Sequence, residues 1–188
     1  KQIREIFLNR IVQGKGLTKA MDLVSGIIMP TPSAMLVAME LLSDGWEEVP
    51  GIGELVGVDL GGATTDVYSV ADGNPANAST VIKGLPEPYT KRTVEGDIGM
   101  RYSVKGILEA VGERRLSKIS GINKNRVVEL VSWLEQHTDY IPDNEEMEKM
   151  DYALACAAVE TAVERHSGSL EQVFTPCGLT YVQSGKDL

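Results

Sequence analysis

Apolar residues recur at three- and four-residue spacing in several stretches of the chain, which is the period of an amphipathic helix. The first stretch, with Ile3, Ile6, Phe7 and Ile11, predicts an opening helix. A short second helix is predicted over residues 17–24. Both elements precede the first strand signal of the chain.

A denser apolar run at residues 35–42 predicts a helix that is buried on most of its surface and ends before Gly45. Pro30 and Pro32 restrict the backbone at its entry, and Ser33 can cap its first turn. This is the last helix before the pattern changes to strands.

The pattern from residue 56 to residue 70, VGVDLGGATTDVYSV, is typical of two strands joined by a tight Gly61-Gly62 bend. Glycine, threonine and aspartate side chains therefore cluster at one hairpin tip. Residues 71–79 are predicted to form a loop. Near the end of the chain, VFTPCGLTYVQSGKDL predicts a short strand or two, broken by Pro176 and Gly178.

Between these strand regions the chain is predicted to be helical. A polar turn at Glu95-Gly96-Asp97 leads into a helix from about residue 100 to 111, and a second helix covers residues 125–136. The longest helix follows Pro142, has Asp143 and Glu146 as a capping pair, and stops at Gly168. The predicted buried faces consist of Val127, Leu130, Val131 and Leu134 on the second helix, and of Met147, Met150, Leu154, Ala158 and Thr161 on the longest.

This order of elements predicts an α/β fold with a helical insert between about residues 97 and 167. In this arrangement β-structure lies on both sides of the helical insert in the sequence, and the first and last strands would lie together.

Charge and composition narrow the function classes. The 27 acidic and 18 basic residues give a net charge of −9, which argues against broad nucleic-acid or anionic-membrane surfaces. Two cysteines, Cys156 and Cys177, do not form a metal or disulfide motif. No apolar run is long enough to span a membrane, so a cytoplasmic protein is predicted. Because the sequence begins at Lys1, we expect an excerpt from a longer protein.

The hairpin tip, DLGGATTD, has the composition of a phosphate-binding loop. A Gly-Gly bend lets backbone N–H groups approach an anion, and threonine hydroxyls add donors. Asp59 and Asp66 suit a hydrated magnesium ion, which takes few carboxylates, and Asp59 could instead orient a water. A plain β-hairpin, whose polar side chains bond their own backbone, explains the same residues, and composition leaves both interpretations open.

VGVDLGGATTDV resembles the second phosphate loop of the actin, sugar-kinase and heat-shock-chaperone ATPase superfamily. The Pro-Thr-containing helix MPTPSAMLVAMELLSDG before it and the turn TVEGDIGMRY after it resemble that superfamily too. The resemblance implies an actin-like (ribonuclease H-like) second-domain portion with an inserted helical subdomain.

A narrower resemblance spans almost the entire chain. IFLNRIVQGKGL, DLGGATTDVYSV, TVEGDIGMRYS and FTPCGLTYVQSGKDL are similar to the MutL-type proteins encoded beside glutamate mutase, which are distinct from the mismatch-repair protein of the same name. The resemblance implies an ATP-dependent reactivating chaperone for an adenosylcobalamin-dependent mutase, with ATP or ADP and Mg²⁺ as cofactors. It also allows a homo-oligomer, and implies no nucleic-acid or membrane partner.

The resemblance assigns roles to individual residues. Asp59 would position water or hydrated magnesium, and Asp66 would support the loop or the metal shell. Nucleotide-binding positions would be Gly61, Gly62, Thr64, Thr65, Glu95, Gly96 and Asp97.

Two superfamily motifs are missing from the sequence: the first phosphate loop and the late Gly-Gly adenosine turn. The chain is therefore expected to be an internal fragment that is inactive as an ATPase on its own. Residues 1–30 would end a preceding domain, residues 31–96 and 168–188 would belong to the nucleotide-binding core, and residues 97–167 would form the helical subdomain.

Two other functions remain open: a small-molecule kinase of the same superfamily, and a non-catalytic scaffold domain.

The remaining polar and reactive residues have structural interpretations. His137 and His166 are expected near helix ends, where a cation favours the helix dipole. Cys156 is expected in the core, and the Lys91-Arg92 pair at the surface.

Overall fold

The structure is a computed structural model that describes residues 29–75, 79–176 and 178–188. The helices predicted near residues 3–11 and 17–24, and Cys177, lie outside these ranges. The described part of the chain is a mixed α/β fold. Its helices are α1 (Thr31–Asp44), α2 (Val104–Ser120), α3 (Lys124–Gln136) and α4 (Glu145–His166). Its strands are β1 (Gly45–Trp46), β2 (Val49–Pro50), β3 (Leu55–Leu60), β4 (Thr65–Val70), β5 (Thr80–Lys83), β6 (Thr90–Glu95), β7 (Ser169–Thr175) and β8 (Gly178–Ser184).

Helices α2, α3 and α4 pack around one apolar core. All nine residues of the two predicted faces are buried, because the stripe of each helix faces its neighbours. Ile98 and Leu116 complete the same core. The first of the three helices starts later than predicted, at Val104, and continues to Ser120 across a non-helical residue, Gly112. The sequence therefore predicts the packing faces better than the helix ends.

The cap of α4 differs from the predicted pair. Asn144 is the capping residue, and its side chain accepts a hydrogen bond from the Met147 N–H at 3.1 Å. Asp143 accepts hydrogen bonds from Tyr140 and from the Asn144 side chain instead. The prediction of an Asp143–Glu146 cap was wrong by one position, because Asp143 is engaged by the preceding turn.

Strands β3, β4 and β6 form an antiparallel sheet with β4 in the middle. The hairpin predicted from the VGVDLGGATTDVYSV pattern is confirmed, with Val58 opposite Val67 and Leu60 opposite Thr65. On one face, Ser69 contacts His166 at the end of α4. On the other face, Met39 of α1 lies against Gly57. Helices therefore cover β4 on both sides, which explains why five of its six residues are buried.

Strands β5, β8 and β7 form a second sheet. β8 lies antiparallel to β7 and parallel to β5, so the chain segment that contains the three helices connects the two parallel strands. The final strand thus pairs with β5, and not with the first strand of the hairpin. Both β5 and β6 lie in segments where the sequence pattern did not predict strands.

The prediction that α1 is mostly buried was wrong. Only Ser43 of this helix is buried among the described residues, and Val37, Leu41 and Leu42 are each exposed by 42% or more. The apolar composition identified the helix correctly but did not report how much of it the described chain covers.

None of the helices in the described ranges is long and apolar enough to cross a membrane.

Candidate functional site

The hairpin tip, residues 61–64, joins β3 to β4 at one end of the three-stranded sheet. The Gly61 N–H donates a hydrogen bond to the Thr64 carbonyl at 2.9 Å, which closes the turn. Both Gly62 and Ala63, at the apex, are exposed. The tip is therefore a tight turn with its apex open to solvent.

The segment after the Glu95-Gly96-Asp97 turn packs against the inner side of this tip. The Met100 N–H donates to the Gly61 carbonyl at 3.0 Å. The Gly62 carbonyl accepts two hydrogen bonds, from the Arg101 N–H at 2.9 Å and the Tyr102 N–H at 2.8 Å. Both tip carbonyls are thus directed inward and satisfied by the same segment.

Fixing these carbonyls also fixes the direction of the neighbouring N–H groups. A trans peptide places its N–H opposite its carbonyl, and the described residues contain no cis peptide. Since the Gly61 and Gly62 carbonyls point inward, the N–H groups of Gly62 and Ala63 point outward. Successive outward N–H groups form an anion-binding concavity.

The three glycines around the tip serve different purposes. A Cβ on Gly61 would lie 3.0 Å from the Thr64 carbonyl oxygen, and a Cβ on Gly99 would lie 2.5 Å from the Ala63 carbonyl carbon. Internal packing therefore requires glycine at position 99, and a side chain at position 61 would make a tight contact. A Cβ on Gly62 would come no nearer than 3.8 Å to another residue, and its φ is not positive. The fold therefore does not require glycine at position 62.

The two hairpin aspartates differ in their surroundings. Asp59 and Asp66 are opposite each other in the β3–β4 register, so they share one face of the sheet. Arg92 on β6 donates its Nε–H to the Asp66 carboxylate at 2.7 Å and forms an ion pair with it. Asp59 is exposed, and within the described ranges no side chain is hydrogen-bonded to its carboxylate. Of the pair, Asp59 is the carboxylate that is accessible to a ligand.

The two threonines also differ. Thr65 is fully buried, and its hydroxyl donates to the Ile98 carbonyl at 2.9 Å. Thr64 is half-buried at the tip itself. Thr65 thus joins the hairpin to the following turn, whereas Thr64 stays near the open apex.

Glu95 and Asp97 both pair with one arginine at the end of α4. The Arg165 Nη1 lies 2.7 Å from the Glu95 carboxylate and 2.8 Å from that of Asp97. The hydrogen bond from Arg165 is the main reason why the pKa of Asp97 is lowered from its usual value. The same two carboxylates raise the pKa of Arg165, which is held as a cation.

The structure brings all the sequence-predicted site residues to one end of the sheet, since Asp59 is opposite Asp66 and Thr65 is opposite Glu95. These residues differ in whether a ligand could reach them. Asp59, Gly62 and Thr64 are accessible, whereas Thr65, Asp66, Glu95 and Asp97 are engaged by other residues. No cluster of three or more potential metal-ligating side chains is found in the described part of the chain.

Several residues that hold the site were not among the predicted site residues. These are Arg92, Gly99, Arg101 and Arg165. Gly99 and Arg101 lie within the quoted TVEGDIGMRY stretch, so the family resemblance was the available signal for them. For Arg92 the expectation of a surface charge is confirmed, since this residue is exposed, and its guanidinium also bonds to Asp66. Arg165 has no local sequence signal, since its partners are about 70 residues away.

Two expectations about residues outside the hairpin need correction. His166 is fully buried and not a helix-end cation: its ring lies 2.8 Å from the Ser69 hydroxyl and 2.7 Å from that of Thr93. Burial, with Lys91 and Lys186 nearby, lowers the pKa of His166 to about 4. Cys156 is only half-buried and lies outside the helical core.

A cavity of about 590 Å³ opens at the other end of the sheet, where Glu54, Asp72 and Asp187 contribute to its lining. None of the predicted nucleotide-binding residues lines it. The site considered below is therefore an exposed hairpin tip and not an enclosed cavity.

Comparison with known proteins gives a match over the whole chain. A sequence profile described as "MutL protein" matches residues 1–188. "Protein MutL" of Clostridium tetanomorphum is 46% identical over 188 residues, which is 100% of this chain and 41% of that protein. The chain thus spans about two fifths of the length of this relative. No solved structure gives a significant match.

Proposed function

The chain belongs to the MutL protein family, and on that premise we propose that it carries the phosphate-binding hairpin of an ATP-dependent reactivating chaperone. The substrate of the whole protein is an adenosylcobalamin-dependent mutase, such as glutamate mutase, that retains an inactive cobalamin. ATP or ADP, with Mg²⁺, binds at the hairpin tip.

The observation that carries this proposal is the direction of the tip peptides. The inward Gly61 and Gly62 carbonyls leave the N–H groups of Gly62 and Ala63 available to phosphate oxygens. Gly62 adds a second reason, since its missing Cβ is not explained by internal packing. Glycine at such a position allows the backbone to approach a ligand closely.

The donor set of the tip also fits a hydrated magnesium ion. Magnesium keeps most of its waters and uses one or two carboxylates together with substrate phosphates. Asp59 is the accessible carboxylate for this role. Asp66 opposite it is neutralised by Arg92, so a phosphate near the tip would not face two uncompensated negative charges. When bound, magnesium would screen the phosphate charge, and Asp59 would hold its water shell.

The site residues that are bonded to other parts of the protein hold the hairpin in place. The Thr65 hydroxyl ties β4 to Ile98, and Arg165 ties Glu95 and Asp97 to α4. In this arrangement Glu95, Gly96 and Asp97 lie at the base of the helices and position the following segment, which carries Gly99. Their contribution to nucleotide binding is indirect.

The proposed function includes an actin-like second domain. Residues 31–96 and 168–188 form part of the nucleotide-binding core, and residues 97–167 form the helical subdomain. Supporting features are the confirmed hairpin, the common core of α2 to α4 and the pairing of β8 with β5. In the whole protein, nucleotide state controls binding to the mutase and release of its inactive cofactor.

The test is calorimetric titration of the full-length protein that contains this chain with Mg-ATP and Mg-ADP. Asp59→Ala and Thr64→Ala are the test variants, and Asp72→Ala is the matched control at the far end of the same sheet. We expect the test variants to weaken binding by roughly tenfold, as for the loss of one ligand hydrogen bond or charge contact. Asp72→Ala should bind like the natural protein.

Absence of nucleotide binding by the folded natural protein would contradict the proposal and favour a scaffold domain. Where binding is confirmed, the mutase can be loaded with an inactive cobalamin and its activity followed with and without ATP. Recovery of mutase activity that needs both ATP and the protein is the expected result. Phosphorylation of a small molecule without mutase recovery would favour the kinase alternative.

A further inference from the structure

One arginine connects the hairpin tip to the helices through both its backbone and its side chain. The Arg101 N–H donates to the Gly62 carbonyl at 2.9 Å. Its guanidinium donates to both carboxylate oxygens of Asp151 on α4, at 3.0 and 2.7 Å. No other described residue makes both a hydrogen bond to the tip and a bidentate ion pair with a helix.

The side chain of Arg101 has further fixed partners. Its Nε–H donates to the Tyr140 carbonyl at 3.2 Å, and its Nη1 also donates to the Met100 carbonyl at 2.7 Å. The side chains of Arg101 and Asp151 are exposed by only 13% and 21%. A planar guanidinium held by a carboxylate and two carbonyls in a half-buried site has little rotational freedom.

We propose that Arg101 is a positioning residue for phosphate binding: its ion pair with Asp151 holds the 100–102 segment, and that segment holds the Gly61 and Gly62 carbonyls inward. The inference deepens the proposed function and rests on it for its binding readout. Loss of the ion pair frees the segment, so that the outward N–H groups of Gly62 and Ala63 no longer keep a fixed direction.

The test compares Arg101→Gln and Asp151→Asn with Arg115→Gln in the full-length protein. Arg115 on α2 is the control because its Nη2 lies 2.9 Å from both carboxylate oxygens of Glu160 on α4, so it too forms an ion pair with that helix, at a more exposed position. It makes no hydrogen bond to the tip. Asp151→Asn removes the charge of the partner on α4 and so weakens the same ion pair while leaving residue 101 unchanged.

The first readout is amide hydrogen exchange without nucleotide. Faster exchange is expected for the N–H groups of residues 100–102, which are the donors to the tip carbonyls. It should appear in both Arg101→Gln and Asp151→Asn, and be absent in Arg115→Gln. This readout depends only on positioning, and so it remains informative if the natural protein does not bind nucleotide at all.

The second readout is the dissociation constant for Mg-ADP. A rise of roughly tenfold is expected for both test variants, which is the scale on which supporting residues affect a binding site. The dissociation constant of Arg101→Lys should lie between those of the natural protein and Arg101→Gln, because lysine keeps the charge but loses the bidentate geometry.

The outcomes separate the two proposals. Unchanged exchange at residues 100–102 in folded Arg101→Gln and Asp151→Asn would overturn the inference, as would unchanged Mg-ADP affinity where the natural protein binds. Equal effects in Arg115→Gln would also overturn it, because they would reflect general loosening of α4. Faster exchange with no binding by the natural protein would sustain the positioning role and overturn the proposed function.

Discussion

The hairpin tip and strand β4 are consecutive in sequence and opposite in environment. Residues 65–70 of β4 lie between α1 and α4, and all except Asp66 are buried. At the apex of the tip, Gly62 and Ala63 are exposed, although on the inner side of the turn Gly99 lies directly against the Ala63 main chain. The boundary between the two environments runs through the Thr64–Thr65 peptide.

This difference separates two kinds of effect. Substitutions on the inner side should change the free energy of unfolding, because main-chain atoms there have no room to move. Substitutions at the apex should change ligand binding with little effect on stability. The predictions below test that separation, in order of the expected change in the free energy of unfolding.

Gly99→Ala is expected to have the largest effect. Its Cβ would lie 2.5 Å from the Ala63 carbonyl carbon, so either the tip or the 98–102 segment must shift. Overpacking against the main chain should lower the free energy of unfolding by about 2–3 kcal/mol. Urea denaturation followed by circular dichroism measures the change.

Gly96→Ala is the matched control for this substitution. Gly96 is exposed and lies in the Glu95-Gly96-Asp97 turn, three residues before Gly99, and a Cβ there would meet no atom within 4 Å. We expect its free energy of unfolding to stay within about 0.5 kcal/mol of the natural value. Equal losses for the two variants would show that the inner side is not closely packed.

Low pH is expected to loosen the junction between β4 and α4. Burial lowers the pKa of His166 to about 4 in the folded state, against an unfolded value of about 6.5. The unfolded state therefore binds a proton first, and stability is lost as pH falls from about 6.5. The slope is at most about 1.4 kcal/mol per pH unit for this single proton.

Denaturation curves between pH 7 and about 5.5 measure that slope, because this range ends about one pH unit above the ordinary pKa of a carboxyl group. His166→Gln should flatten the slope, since an amide can bond to the Ser69 and Thr93 hydroxyls without titrating. An unaltered slope in His166→Gln would assign the pH response to other groups.

The comparison also shows what the sequence can predict. Apolar residues on both sides of the Gly-Gly bend predicted both hairpin strands, and the helical stripes at Val127 and Met150 predicted buried faces. Such patterns are local, and they report which side chains must be covered. They do not show which part of the protein covers those side chains. This is why the prediction of a mostly buried α1 was wrong.

Long-range polar partners could not be predicted for a similar reason. Arg92 and Asp66 are 26 residues apart, and His166 and Ser69 are 97 apart. Nothing in the spacing of one partner specifies the other. The sequence therefore predicted the residues of the candidate site but not which of them are already engaged.

Arg165→Gln should have a smaller effect than either change above. Arg165 is partly exposed, and its pairs with Glu95 and Asp97 should together contribute at most about 1 kcal/mol to the free energy of unfolding. The sharper readout is the Asp97 carboxyl, followed by NMR through a pH titration. Because Arg165 lowers its pKa, the variant should titrate at higher pH than the natural protein.

Lys149→Gln removes another exposed pair on the same helix, with Glu145, and should leave the Asp97 titration unchanged. A pKa of Asp97 that stays low in Arg165→Gln would mean that a different group stabilises its charge.

Gly62→Ala should have the smallest effect on stability and a large one on binding. Its Cβ has at least 3.8 Å of clearance, and its φ suits alanine, so the free energy of unfolding should change by less than about 0.5 kcal/mol or rise slightly. The methyl group would add bulk beside the outward N–H groups of Gly62 and Ala63, and Mg-ADP affinity should fall by roughly tenfold or more.

Denaturation and calorimetry on the same Gly62→Ala sample provide both values. A variant that is stable but binds weakly would place the ligand at the outer side of the tip, because the added methyl group displaces no other described residue. Natural affinity in Gly62→Ala, together with weakened binding in Asp59→Ala, would move the phosphates away from the apex and towards the β3 edge. Loss of stability would instead mean that the outer side is packed like the inner one, which would remove the distinction between the two.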